Sequence, residues 1–419
     1  MSHDSPLVPP ATGRSDPRRR LLLELFSAAL ASVDGRTCTR DALTSTPHAR
    51  TSPGRVWVAA IGKAAGAMTL GAHNALGGAI EQTLVITKDG HVDPQVFALP
   101  NIEFLESAHP VPDGRSLAAG ARLLEWVDAL PAEVEPLFLI SGGASSLVEA
   151  LVPGATLAQL KELNTRGLAS GLAIGDLNAQ RAVISRIKGG RLAARIAGRP
   201  ARALFISDVP GHDPAVIGSG IMGPSGVADD RIERRIIASI DVATETVFRG
   251  AEGLSLNPWR DIQAFDGPAD RLAVRFAHEL HMNPHQVRVW GGESVVNLPP
   301  EPGRRGRNQH LALSAARVIA GHDNLLLLVG GTDGTDGVTE DAGALVDGET
   351  CSRVALSELD VQKCLQNADS GTALAAAGDL IHTGPTGTNV GDLVIGLKLS
   401  QQAAAELLET RDSLASRVL

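Results

Sequence analysis

The residues able to do chemistry cluster where apolar runs end. Lys63 follows one such run in Ala59-Ala60-Ile61-Gly62-Lys63-Ala64-Ala65-Gly66. A Lys at a strand-to-helix turn presents a point charge suited to phosphate. This is not a Walker A loop, which needs Gly at 57 and Ser or Thr at 64, where Trp57 and Ala64 stand. Ser207-Asp208-Val209-Pro210-Gly211-His212-Asp213 ends another run in an acid, with a second acid five residues on. Two carboxylates on a loop suit Mg²⁺, which keeps water and phosphate oxygens as its other ligands. The plain alternative is an Asx-turn with Pro punctuation. In Gly303–His310, Arg307 and Asn308 stand where a glycine-rich loop enters an apolar helix, Leu311–Ile319. That arrangement suits bidentate recognition of phosphate or carboxylate, or else is a solvated basic turn. Gly330–Gly337 sets Asp333 and Asp336 among glycines but lacks the spacing of an EF-hand. His382–Asn389, with Thr386 and Asn389, is dense in hydroxyls and backbone donors, which fits an anion cradle or a capped loop.

Two further patterns are decoys. Gly218–Gly223 matches GxGxxG, but the dinucleotide fingerprint must join a strand to the helix it opens. Here Pro214 precedes it and Pro224-Ser225-Gly226 follows. His278-Glu279-Leu280-His281-Met282 fails HExxH at Met282, and Pro284 ends the helix before His285.

These residues must be held by elements. Apolar runs at Val56–Ile61, Thr83–Thr87, Leu137–Ile140, Ala203–Ser207, Gln286–Trp290 and Leu325–Val329 read as buried strands. Helical stretches such as Leu117–Ala129, Leu157–Leu172 and Arg271–Met282 alternate with them, which predicts α/β architecture with parallel sheets. Three runs end in Gly-Gly: before Ala144, before Glu293 and before Thr332. Ligands of open parallel sheets bind beyond the carboxyl ends of the strands, where a Gly pair lets backbone N–H groups approach an anion. A tight turn is the plain reading of any single pair. Together, with charges such as Glu293 beside them, they point to a phosphate-binding cleft.

The chain has 419 residues, enough for two or three domains at roughly 100–200 residues each. We place a loose arm at 1–20, an N-terminal domain at 21–235 and a C-terminal domain at 236–419, with the break at Gly223–Asp230. The balance of 38 Lys+Arg against 47 Asp+Glu, a net charge of −9, argues against nucleic-acid or anionic-membrane partners. Aromatics at 3%, with no Tyr, argue against base-stacking platforms. Cys38, Cys351 and Cys364 lack CxxC spacing, which excludes a disulfide framework and fits a reducing cytoplasm. Arg18-Arg19-Arg20 before an apolar stretch imitates a signal peptide. Glu24 interrupts it, and Leu22, Leu23, Phe26, Ala29 and Leu30 recur at helical spacing, so a first helix is expected. No apolar run reaches the roughly 18 residues of a spanning helix.

The motifs in their order resemble the type 2 glycerate kinase (glycerate 2-kinase, MOFRL) family from about residue 20 to 400. The resemblance rests on GKAA at Gly62–Ala65, AHPVPDG at Ala108–Gly114, SGGASS at Ser141–Ser146, KGGRLA at Lys188–Ala193 and SDVPG at Ser207–Gly211. GRNQ at Gly306–Gln309, GTDGTDG at Gly331–Gly337 and HTGPTGTNV at His382–Val390 extend it. It implies two α/β domains, the first Rossmann-like, with the active site in the inter-domain cleft. It implies ATP- and Mg²⁺-dependent phosphorylation of the 2-hydroxyl of D-glycerate or a closely related hydroxy acid. The family's active-site Lys and Arg fall at Lys63 and Arg307. Asp208 and Asp333 are then expected to bind Mg²⁺, with Asp208 also the choice for general base. Ser141, Gly142, Gly143, Lys188, Glu293, Asn308, Thr386 and Asn389 are expected to hold substrate or phosphate. Departures occur at Ala182, Val183, His212, Arg305 and His310, where the family usually shows other residues, and they leave the acceptor open. A homodimer is left open too. Rival readings are an NAD(P)H-dependent hydroxypyruvate reductase and a sugar-acid binding protein with reduced catalysis.

Overall fold

The computed structural model describes residues 16–45, 54–91, 93–170, 174–196, 198–226 and 231–415. It divides into two compact units. One comprises Val33–Ser239 with Gly387–Val390, and the other comprises 16–32, Ile240–Thr386 and 391–415.

The N-terminal unit is built on six parallel strands. They are β1 (Val56–Ile61), β2 (Ile80–Lys88), β3 (Ile102–Ser107), β4 (Glu135–Ile140), β5 (Ala201–Ser207) and β6 (Ile232–Ser239). Their order is β3-β2-β1-β4-β5-β6. Strands β1, β4 and β5 are buried almost throughout, as expected where helices cover both faces of a parallel sheet. Each apolar side chain sealed there contributes about 1.5–3 kcal/mol. Trp126, on the helix Gly114–Asp128, packs edge-on against Phe138 at 5.9 Å. In this order the chain runs outward from β1 on one side and resumes with β4 on the other. The crevice of a doubly wound sheet opens at that reversal, between the carboxyl ends of β1 and β4. Register aligns those ends, since Ile61 pairs with Ile86 and Ile140, and Ile140 pairs with Phe205.

The C-terminal unit carries seven strands: β7 (Pro258–Arg260), β8 (Phe265–Pro268), β9 (Val287–Val295), β10 (Leu325–Gly331), β11 (Gly343–Asp347), β12 (Leu380–Ile381) and β13 (Asp392–Lys398). Six follow the order β12-β11-β10-β13-β9-β7, and β8 pairs with β9. This sheet is mixed, which corrects the expectation of parallel sheets: β10–β11, β10–β13 and β13–β9 run antiparallel. The short return between β10 and β11 needs no helical crossover, so an antiparallel pair forms. Trp290 and Phe276 stack at 4.6 Å in its core.

Helix Pro17–Ser32 begins inside the segment read as a loose arm; residues 1–15 of that arm lie outside the described residues. This helix packs in the C-terminal unit, whereas sequence reading assigned it from residue 21 to the N-terminal domain. Leu21, Leu22, Leu25, Phe26 and Ala29 are buried. Arg19 is tied to Asp347 and, at 3.0 Å, to Asp379, while Arg353 binds the same two carboxylates. The chain passes to the Ile240–Thr386 stretch after Ser239; residues 227–230 of the predicted break lie outside the described residues. No described helix is long and apolar enough to cross a membrane. No disulfide joins the cysteines, and burial pushes the Cys38 thiol up to about 11.

Candidate functional site

In the N-terminal unit three strand tips meet. Gly62 ends β1 with a backbone so close to Ser141 that a Cβ would lie 2.1 Å from the Ser141 hydroxyl oxygen. The Lys63 N–H donates to the Gly142 carbonyl at 2.9 Å, and the Ala64 N–H donates to Ser141 Oγ at 3.1 Å. These bonds lock the turn after β1 to the turn after β4. Gly143 adopts φ +86°, which a side chain would resist. The Lys63 stem and the His109 ring both pack over it. Gly142 in turn leaves room for Asp208 and Asn389, whose Nδ2 donates to Asp208 Oδ2 at 3.4 Å. Asn389 arrives on the Gly387–Val390 segment, which packs in this unit.

Lys63, Gly142, Gly143, Asp208 and Asn389 are therefore one group of neighbours, with Lys63 and Asp208 half-buried. Ser141 has a different part from the one expected. Its N–H is engaged by the Ile61 carbonyl at 2.9 Å, and its hydroxyl braces the β1 turn. Among the described residues the N–H groups of Gly142 and Gly143 have no protein acceptor. Lys188 lies elsewhere in the unit. It is 1% exposed, and its ammonium donates to Glu149 Oε2 at 2.6 Å. The phosphate-binding role read for it meets an ammonium already sealed in a buried ion pair. Burial lowers its pKa against the pull of Glu149.

In the C-terminal unit Arg307 opens the helix Arg307–Val318. Its guanidinium binds Glu293 on β9 and lies 3.6 Å from Asp392 at the start of β13. Asn308 Nδ2 donates to Asp392 Oδ1 at 3.0 Å. Asp336, from the loop after β10, accepts the N–H groups of Asn308 at 3.1 Å and Gln309 at 2.8 Å. It thus caps the helix from outside, because Gly306 has no side chain to do so. Asp333 accepts from the Thr335 N–H at 3.0 Å. The Thr386 hydroxyl donates to the Thr332 carbonyl. Arg307, Asn308, Glu293 and Asp333 therefore belong to one acid-rich neighbourhood.

Two buried carboxylates, Asp336 and Asp392, and the exposed Glu293 surround one guanidinium there. Burial pushes Asp336 up to about 7, with Asp392 adding to the rise and the bonded N–H groups opposing it. Burial pushes Asp392 up to about 6 against the pull of Arg307. Burial works against the charge on Arg307, but Asp392 and Glu293 outweigh it and hold the group above its ordinary value. Asp392 Oδ2 and Asn308 Oδ1 are buried acceptors without a hydrogen-bond donor. Hard oxygens of this kind suit a cation, and for Asp392 Oδ2 the Arg307 guanidinium at 3.6 Å is one already. Among the described residues no group of three or more His, Cys, Asp or Glu side chains is arranged to hold a metal ion. Mg²⁺ that keeps water and phosphate oxygens as ligands needs fewer.

Sequence reasoning missed His109, Asp392 and the capping role of Asp336. His109 lay inside a quoted motif without a role, and Asp392 is a lone acid before an apolar strand. One Gly-Gly pair was misread. Gly291 and Gly292 lie within β9, where a Cβ would strike Ile240 at 2.3 Å and the Phe265 carbonyl at 2.2 Å. They admit close packing and form no loop. His310, one of the departures, turns away from the acids toward Asp270 and Ser370. Val183 is exposed, Ala182 packs under Gly189, His212 bonds Ser207 at 3.0 Å, and the Arg305 carbonyl receives the Val338 N–H. GxGxxG at Gly218–Gly223 lies in turns that open no helix.

The fold and its residues define a two-domain α/β protein: a Rossmann-like parallel sheet with an amine at its switch point, and a mixed-sheet unit with an arginine among acids. A domain of unknown function (DUF4147) matches residues 21–248, and the MOFRL family matches residues 286–392. The D-glycerate 2-kinase of Thermotoga maritima is 34% identical over 381 residues, covering 82% of this chain and 90% of that protein. An Agrobacterium vitis protein provisionally named hydroxypyruvate reductase is 33% identical, covering 90% and 93%. The crystal structure of a glycerate kinase from Thermotoga maritima superposes with a TM-score of 0.78 at 32% identity, covering 91% of this chain and 99% of that one. The chain belongs to the glycerate 2-kinase (MOFRL) family.

Proposed function

We propose that this protein is a kinase that transfers the γ-phosphate of ATP to the 2-hydroxyl of D-glycerate or a closely related small hydroxy acid. The observation that carries the reading is the meeting of Lys63, the two open N–H groups of Gly142 and Gly143, and Asp208 at the sheet's switch point. Phosphoryl transfer asks for positioning and for neutralisation of charge on the transferred group, with little covalent work by the protein. Lys63 supplies a point charge to that group, and the Gly142 and Gly143 N–H groups hold an anionic oxygen. Arg307, its planar fork set by Glu293 and Asp392, pairs bidentately with a carboxylate or phosphate. Asp208 in the N-terminal unit and Asp333 in the C-terminal unit would each offer a carboxylate to Mg²⁺, directly or through water, and Asp392 Oδ2, buried without a hydrogen-bond donor, lies in the same unit as Asp333. The ion would neutralise charge on the phosphates. Asp208 is our choice to accept the proton of the acceptor hydroxyl. Asn389 fixes its orientation.

The test is ADP release over D-glycerate, L-glycerate and four-carbon aldonates with Mg²⁺ present. Turnover with a hydroxy acid is expected, and Lys63→Ala should lower it by on the order of a hundredfold, the scale of one lost charge stabiliser. No ADP release with any of them would overturn the proposal; near-normal turnover of the variant would remove Lys63 from the mechanism.

A further inference from the structure

The C-terminal unit holds a half-open groove of about 380 Å³ between the helices Ala269–Met282, Arg307–Val318 and Val361–Gln366, with Asp270, Arg317, Gln362 and Gln366 exposed along it. That volume lies in the range of small-molecule sites. Its polar lining comes from Asp270, His310, Ser314, Arg317, Gln362 and Gln366. Nothing in the phosphoryl-transfer reading uses these side chains.

The groove carries one charge of each sign. Asp270 Oδ1 accepts from His310 Nε2 at 3.2 Å and from the Ser314 hydroxyl at 2.7 Å. A carboxylate only accepts, so Nε2 carries the proton, while Nδ1 lies 3.3 Å from the Ser370 hydroxyl. Burial holds the His310 pKa below its ordinary value, although Asp270 pulls the other way. Oδ2 of Asp270 takes no hydrogen bond among the described residues. Arg317 makes no ion pair or hydrogen bond among them either, and its charge acts on the Cys351 thiol.

His310, Ser314 and Arg317 share one helix face, and the seven steps from His310 to Arg317 rise about 10 Å. Val274 and Leu365 lend apolar wall beside the two amides of Gln362 and Gln366.

We propose that this groove binds a small zwitterion, an ω-amino acid with a short methylene chain, whose ammonium pairs with Asp270 and whose carboxylate pairs with Arg317. The ligand would lie against the helix whose first turn carries Arg307. The site is independent of the kinase reading, since no catalytic group lines it.

The test is thermal unfolding of the full chain, titrated with γ-aminobutyrate and with ε-aminocaproate, against butyrate and butylamine as single-charge controls. At ten times its dissociation constant a zwitterion should raise Tm by roughly 3–5 °C, and the controls should not. Arg317→Ala and Asp270→Asn, each compared with its own unliganded Tm, should abolish the rise. Asn at 270 keeps an acceptor for His310 and Ser314, so that variant tests the charge. No rise with either zwitterion, an equal rise with a control, or a rise preserved in Arg317→Ala would overturn the proposal.

Discussion

Replacing Asp336 by Asn should flatten the pH dependence of stability in the C-terminal unit. Asp336 is 2% exposed, and burial pushes its carboxyl from 3.8 up to about 7. Between those values the folded chain keeps a proton that the unfolded chain has lost. Stability therefore falls as pH rises through the window, and the loss is complete above about pH 7. At about 1.4 kcal/mol per pH unit, that span is on the order of 4 kcal/mol. Asn cannot titrate, so the variant loses this slope. It also keeps only one acceptor oxygen for the two N–H groups of Asn308 and Gln309, a cost of about 1 kcal/mol. The variant should be less stable than wild type by about 1 kcal/mol below pH 4, and more stable than it by about 3 kcal/mol at pH 8, once the span of about 4 kcal/mol is lost from wild type. Urea-dependent hydrogen exchange of the amides in Arg307–Val318, corrected for intrinsic exchange, reads this locally. Equal slopes in the two proteins would show that Asp336 does not carry the burial penalty argued here.

Two further substitutions separate site from scaffold. Gly142→Ala places a Cβ 1.9 Å from Asn389 Nδ2 and 2.3 Å from Asp208 Oδ2; the displaced carboxylate should lower ADP release by on the order of a hundredfold while far-UV circular dichroism stays native. Lys188→Ala strands Glu149 in the core, so urea unfolding should reveal a loss of about 3–5 kcal/mol. Unchanged stability with a raised KM for ATP would instead return Lys188 to phosphate binding.

Much of the N-terminal sheet is legible in the chain. Val56–Ile61, Leu137–Ile140 and Ala203–Ser207 are continuous apolar runs because both faces of a parallel strand are covered. Once those runs are strands, the residues just past them, Lys63, Gly142, Gly143 and Asp208, must share the carboxyl edge, and adjacency on that edge follows from register. The mixed sheet was harder to read. Its Gly291-Gly292 pair looks like a strand-ending turn, yet β9 continues through it, and only the approach of Ile240 and Phe265 explains the missing side chains.

What the chain alone determined, then, is local: which segments are strands, and which polar residues stand at their tips. Tertiary structure decided what each polar group faces. It closed Lys188 onto Glu149, turned His310 toward Asp270, set Asp336 over the helix that begins at Arg307, and brought Asp392 beside Arg307 and Asn389 beside Asp208. These partners lie between 28 and 181 residues apart in sequence. The spacing of a motif carries no information about them, because the fate of a charge depends on the dielectric and the counter-charges that distant segments bring to it.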